Sequence, residues 1–116
     1  MKVQNYKDLI VWQKSIELVV EIYKITKQFP SEEKYGLSSQ MQRASVSVPS
    51  NIAEGACRNN TGEFNQHLGI AFASAAELET QLIIAKKLYS QIDYSKAENL
   101  TLEVQKMLNS LMAKLR

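Results

Sequence analysis

His67 is the only histidine in the 116-residue chain, and Cys57 is the only cysteine. These two side chains bound the chemistry available. A di-iron site in a helical bundle needs carboxylates on facing helices and Glu-x-x-His on two of them. Here Glu63 and His67 stand four apart and no Glu-x-x-His occurs. That pair cannot complete a site, so no metal is expected and His67 reads as a polar-face or interface residue. Cys57 has Arg58 as a neighbour, which suits a reactive thiol, but no positioned base accompanies it. It reads as a small buried residue near a helix end. No Gly-x-x-x-x-Gly-Lys or Gly-x-Gly-x-x-Gly pattern is present, so no phosphate cradle is indicated. Lacking an acid, base and nucleophile set, the chain is expected to be neither an enzyme nor a cofactor carrier.

The charged residues offer other roles. Arg43, Glu54 and Glu77 lie at the margins of apolar segments. A buried charge left alone costs about 3–5 kcal/mol, so Arg43 is expected to pair with Glu77 or Glu54 across helices or subunits. The plain alternative is three solvated charges. Lys7, Lys14, Arg43 and Arg58 are the candidates for phosphate contact, against a simple solvated surface. Trp12 and Tyr23 have rings that stack on bases, yet their helical spacing assigns them first to a core or an interface.

Composition frames these candidates. Apolar residues make up 45% and charged residues 22%, ordinary values for a folded globular chain of one domain. Net charge is +2, and no segment concentrates it into the basic stripe that marks a dedicated nucleic-acid domain. Charge therefore permits RNA or DNA without demanding either. A lone cysteine excludes an internal disulfide and fits a reducing compartment. Lys14, Glu17 and Glu21 interrupt any leader-like run near the start. No stretch reads as the ~18 apolar residues of a membrane span. A cytoplasmic protein with no membrane partner is expected.

Four glycines and two prolines leave long uninterrupted runs of helix formers. The first helix is predicted from about Asp8, as N-cap, to Lys27, with a stripe of Leu9, Trp12, Ile16, Val19, Tyr23 and Thr26, widened by Val20 and Ile22. Phe29-Pro30 ends it. The second begins near Ser31, with Glu32 and Glu33 in its first turn, and buries Leu37, Met41, Ala44 and Val48. Pro49 removes a helical hydrogen bond and crowds the Ser45 carbonyl. A kink is expected there, with Ser45, Ser47 or Ser50 serving the freed backbone. Two separate helices are the alternative.

Residues 58–62 form a loop, and Asn60 or Thr61 caps the third helix, with Glu63 placed for a capping box. That helix runs to about Ser90 with Phe64, Leu68, Ala71, Ala75, Leu78, Leu82, Ala85 and Leu88 as its stripe. Its small centre, from Gly69 to Ala76, is expected to pack closely on Ala44, Ser45, Ser47 and Ala53. Ser95 with Glu98 starts the fourth helix, which repeats Leu100, Val104, Met107 and Leu111. Long helices with short connections define an all-α, antiparallel up-and-down four-helix bundle, its second helix kinked at Pro49.

The run Gln42-Arg43-Ala44-Ser45-Val46-Ser47-Val48-Pro49-Ser50-Asn51-Ile52-Ala53-Glu54-Gly55 resembles the signature of the 23S rRNA intervening-sequence protein family. Asp8-Leu9-Ile10-Val11-Trp12-Gln13-Lys14, Phe29-Pro30 with Tyr35-Gly36-Leu37, and Ser74-Ala75-Ala76-Glu77-Leu78-Glu79-Thr80-Gln81-Leu82 fit the same pattern. The resemblance implies a bundle that assembles into a homopentamer without enzymatic activity. Some such proteins are encoded within insertions in large-subunit rRNA genes. A related group, accessory to diversity-generating retroelements, binds a reverse transcriptase and nucleic acid through a basic surface. Independently of that resemblance, the first helix carries Leu9 to Trp12 in a row and the third has Ile83 and Ile84 beside Leu82. One core cannot use every side of these helices, so copies are expected to assemble.

Overall fold

A computed structural model describes residues 5–116 of the chain. Four α-helices follow in order: α1, Ile10–Thr26; α2, Leu37–Ala56; α3, Thr61–Leu88; and α4, Ser95–Lys114. Single 3-10 turns at Tyr6–Asp8 and Ser31–Glu33 precede α1 and α2. Each helix packs on its two neighbours in the cycle α1–α2–α3–α4, as an up-and-down bundle requires. The longest dimension is 44 Å, close to the ~42 Å length of a helix the size of α3.

One cluster of buried side chains fills the space between the helices. Met41, Val48 and Ile52 of α2 meet Leu68, Ala71, Ala75 and Leu78 of α3, all fully shielded. Leu18 and Ile22 of α1 and Val104 and Leu108 of α4 close the other side. The α2–α3 pair is the most extensive contact, as the small residues predict. Ala44, Ala71, Ser74 and Ala75 face inward there, whereas Gly69 looks into open space. Gly55 is the tightest point: a Cβ there would lie 2.6 Å from His67 Cβ and 3.2 Å from the Phe64 carbonyl oxygen.

The core face of α1 differs from the predicted stripe. Val11, Ser15, Leu18, Ile22, Ile25 and Thr26 are buried, and Ile16, Val20 and Tyr23 are exposed. Ser15 disguises the true face. Its hydroxyl donates to the Trp12 carbonyl at 2.7 Å, so burying it leaves no unpaired group. Leu88, at the end of the α3 stripe, is also exposed.

Three caps differ as well. Asp8 ends the first 3-10 turn, and α1 starts behind Leu9 without a side-chain cap. Ser31 opens the second 3-10 turn, and α2 starts at Leu37, whose N–H donates to the Glu33 carboxylate at 3.2 Å. In α4, Ser95 is the first helical residue and Tyr94 the N-cap, without a side-chain cap bond, while the Asp93 carboxylate accepts from the Ser95 N–H at 2.9 Å. Asn60 does cap α3, accepting from the Glu63 N–H at 2.9 Å.

Pro49 sits inside α2, which is one continuous element, so the two-helix alternative falls away. Two of the serine hydroxyls are committed elsewhere: Ser45 donates to the Gln42 carbonyl and Ser47 pairs with Ser74. Cys57, the C-cap of α2, is exposed rather than buried. Finally, α3 is long and apolar enough to cross a membrane, with mean hydropathy 1.4 over 18 residues. Its apolar character escapes a search for an unbroken apolar run because its alanines and isoleucines are interspersed with polar residues. In this fold, its inward face supplies core from Phe64 to Ala85.

Candidate interaction surfaces

A polar ladder crosses the outer edge of the α2–α3 contact. Ser47 and Ser74 hydroxyls share a hydrogen bond of 2.8 Å. The Asn51 carboxamide donates to the Ser47 carbonyl at 2.9 Å and to its hydroxyl at 3.1 Å. Its oxygen lies 3.1 Å from His67 Nδ1, which is also 3.9 Å from the Glu54 carboxylate. Helical geometry makes the ladder possible: Ser47, Asn51 and Glu54 are spaced four and three apart on α2, and His67 and Ser74 seven apart on α3. The result joins two helices through side chains that satisfy one another. It offers neither a base aligned on a nucleophile nor a metal cradle. Among the described residues, no group of three or more His, Cys, Asp or Glu side chains converges.

The predicted ion-pair residues separate. Glu54 faces His67, not Arg43. Glu77 accepts from the Gln81 carboxamide at 3.3 Å. Arg43 is exposed on the outer side of α2, beside a shallow depression that it shares with Tyr23 and Val46. It has no ion-pair partner within the chain among the described residues.

The four candidate phosphate contacts do not form one patch. Arg58 shares a depression with Tyr6, neighbour of Lys7, at one end of the bundle. Arg43 lies about 22 Å away along α2. Lys14 sits on the α1–α4 side and is engaged by Glu103 at 3.3 Å and Glu17 at 3.8 Å.

Charge and apolarity are sorted among the seams between helices. Lys14–Glu103 and Glu21–Lys96 cross α1–α4, and Lys86–Glu98 at 3.3 Å crosses α3–α4. Among the described residues no ion pair crosses α1–α2. There, Ile16, Val20 and Tyr23 project outward beside Val46. On α3, Ile70, Ile83, Ile84 and Leu88 are between 44% and 59% exposed. The Glu79–Gln105 and Lys86–Glu98 contacts set the α3–α4 register, which brings Ile83 level with Leu102, 47% exposed.

An all-α up-and-down bundle with a close, glycine-dependent α2–α3 contact is the class of protein defined by this geometry. The sequence matches the 23S rRNA-intervening sequence protein family over residues 7–110, and the chain belongs to that family. Its fold is similar to that of a protein of unknown function from the S23 ribosomal protein family of Bacteroides thetaiotaomicron. The two share 29% identity with a TM-score of 0.81, over 90% of this chain and 96% of the other. No curated protein matches the sequence.

Proposed function

We propose that this chain is a non-catalytic protein that assembles with copies of itself and presents the assembled surface to a nucleic acid or a nucleic-acid enzyme. The observation that carries this reading is the set of exposed aliphatic residues on α3, with Ile70, Ile84 and Leu88 on one face and Ile83 on the flank beside α4. Large aliphatic side chains grouped on a helix whose other face already builds the core mark an interaction surface. Helices α1 and α3 expose different apolar faces, and a contact between unlike patches builds a ring when its rotation closes. A pentamer is the ring implied by the family resemblance. The family's name links it to ribosomal RNA, and that link supports RNA as the nucleic acid. Exposed, unpaired Cys57 suits a reducing, cytoplasmic setting.

Replacing Ile83 and Ile84 together with Glu tests assembly. Both side chains are about half exposed, so the fold should survive. Sedimentation velocity should show the variant shifting to smaller species, and an unchanged profile would remove α3 from the interface. The second reading, a scaffold with protein partners only, is favoured by the scattering of Lys7, Lys14, Arg43 and Arg58 over separate faces. A salt series separates the two. Phosphate contacts make log affinity for RNA fall linearly with log salt, whereas absent or salt-independent binding supports the scaffold.

A further inference from the structure

Where α1 gives way to α2, an open groove of about 820 Å³ runs between the two helices. Val19, Val20, Tyr23, Phe29 and Pro30 line it with apolar surface, and Lys24, Lys27 and Lys34 stand around it. No carboxylate lines the groove. Glu33, in the adjoining turn, is already held by the Tyr89 hydroxyl and the Leu37 N–H. We propose that this groove docks an acidic amphipathic helix of a partner protein.

Dimensions support a helix. From Val19 to Lys27 the α1 wall runs about 12 Å, which matches the reach of anchors at i, i+3 or i+4, and i+7 on a docked helix. Charge supports acidity. Lys24, Lys27 and Lys34 form no ion pair among the described residues. Lys24 and Lys27 suit the negative end of the α1 dipole. Lys34 does not: it precedes α2, where a helix dipole disfavours a cation. Its ammonium lies 5.5 Å from the centre of the Tyr35 ring, and Tyr35 is itself 89% exposed, so the charge stays available to a partner. Lysine stems can cover the flanks of an apolar helix while their ammonium groups meet its carboxylates.

A second copy fits less well. The outward stripe of Ile83, Ile84 and Leu88 carries Lys86 and Lys87, which would meet the groove lysine against lysine. Two grooves facing each other would do the same. A single-stranded nucleic acid would satisfy the lysines, but successive bases call for successive stacking rings, and the groove offers one exposed ring, Tyr23, since Phe29 is buried.

The groove shares Val20 and Tyr23 with the outward face of α1, but the assembly reading is carried by α3 and the groove by its lysines, and their tests separate. Two labelled 18-residue helical peptides with the same leucine stripe, one bearing Glu and one Lys on the polar face, are titrated with the full chain by fluorescence anisotropy. The acidic peptide should bind at least tenfold tighter than the basic one. The K24E/K27E/K34E variant should reverse that preference, and Val20→Ser, with all lysines intact, should weaken the acidic peptide about tenfold. All four positions are at the surface, and circular dichroism confirms folding. The proposal is overturned if neither peptide binds, or if the charge-reversed variant keeps its preference. It is also overturned if an 18-nucleotide oligothymidylate or laurate displaces the acidic peptide at a lower concentration than unlabelled peptide does. Sedimentation on the same samples reports copy number, so a monomer that still binds the acidic peptide would refute assembly and support the groove.

Discussion

At Gly55, an added methyl group would meet His67 Cβ at 2.6 Å and the Phe64 carbonyl oxygen at 3.2 Å. Part of that obstacle is backbone, so it cannot rotate away. Overpacking of this kind costs about 1–3 kcal/mol, and Gly55→Ala should lower the thermal midpoint by several degrees. Gly69, also within a helix, has nothing within 4 Å of an added Cβ. Gly69→Ala should gain about 0.5–1 kcal/mol from helix propensity. Equal effects in the two melts would contradict the packing assigned to α2 and α3. Tyr89 and Glu33 make a second residue-scale case. The Tyr89 hydroxyl donates to Glu33 at 2.5 Å, which pushes its pKa up to about 12 and holds the Glu33 carboxyl below its ordinary value. The stabilisation from Glu33 is present above the unfolded carboxylate value and is lost as pH falls through the lower folded one. That from Tyr89 is present below the ordinary value of 10.0 and is lost as pH rises through about 12. Urea midpoints of the wild type and Tyr89→Phe should therefore differ near neutrality and converge at both extremes. Residue identity also misleads at this scale. Ser15 hides the core face of α1 because its bond to its own helix backbone cannot be read from spacing, and Cys57, a small apolar type, stands exposed where the chain turns.

At the scale of elements, the α2–α3 pair was the most legible part of the chain. Small residues announce close approach, and Asn60 announces the start of α3, because both depend on local chemistry. The entry to α2 was less legible, since the 3-10 turn at Ser31–Glu33 imitates a helix start and shifts the real one to Leu37. Which small residues face the partner helix was also hidden. Gly69 and Gly55 look alike in sequence, and only the helix rotation separates them. The ladder from Glu54 to Ser74 emerged from that rotation too. Of its members only Glu54 is expected from the sequence to pair, and with Arg43, whereas the contacts run through Asn51, a residue with no charge to suggest them. The Ser47–Ser74 bond gives an element-scale prediction. Ser47→Ala and Ser74→Ala should each cost about 1 kcal/mol. The double variant should cost less than their sum by about 0.5–1 kcal/mol in urea unfolding, whereas additive losses would show that the two hydroxyls do not couple the helices.

For the whole molecule, short connections and long amphipathic runs were enough to read an up-and-down bundle. How its outer faces divide their work was not legible, because that depends on the rotation of every helix at once. Ion pairs hold α4 to both neighbours, the α1–α2 seam carries none among the described residues, and α3 turns isoleucines outward. Surface ion pairs contribute little, about 0–1 kcal/mol each, so the uneven distribution matters more for recognition than for stability. The chain mass is 13.1 kDa, and light scattering on the purified chain at tens of micromolar tests self-assembly directly. The account predicts one species of several chain masses, five for the ring that the family resemblance implies. A single species at 13.1 kDa over the whole concentration range would contradict it.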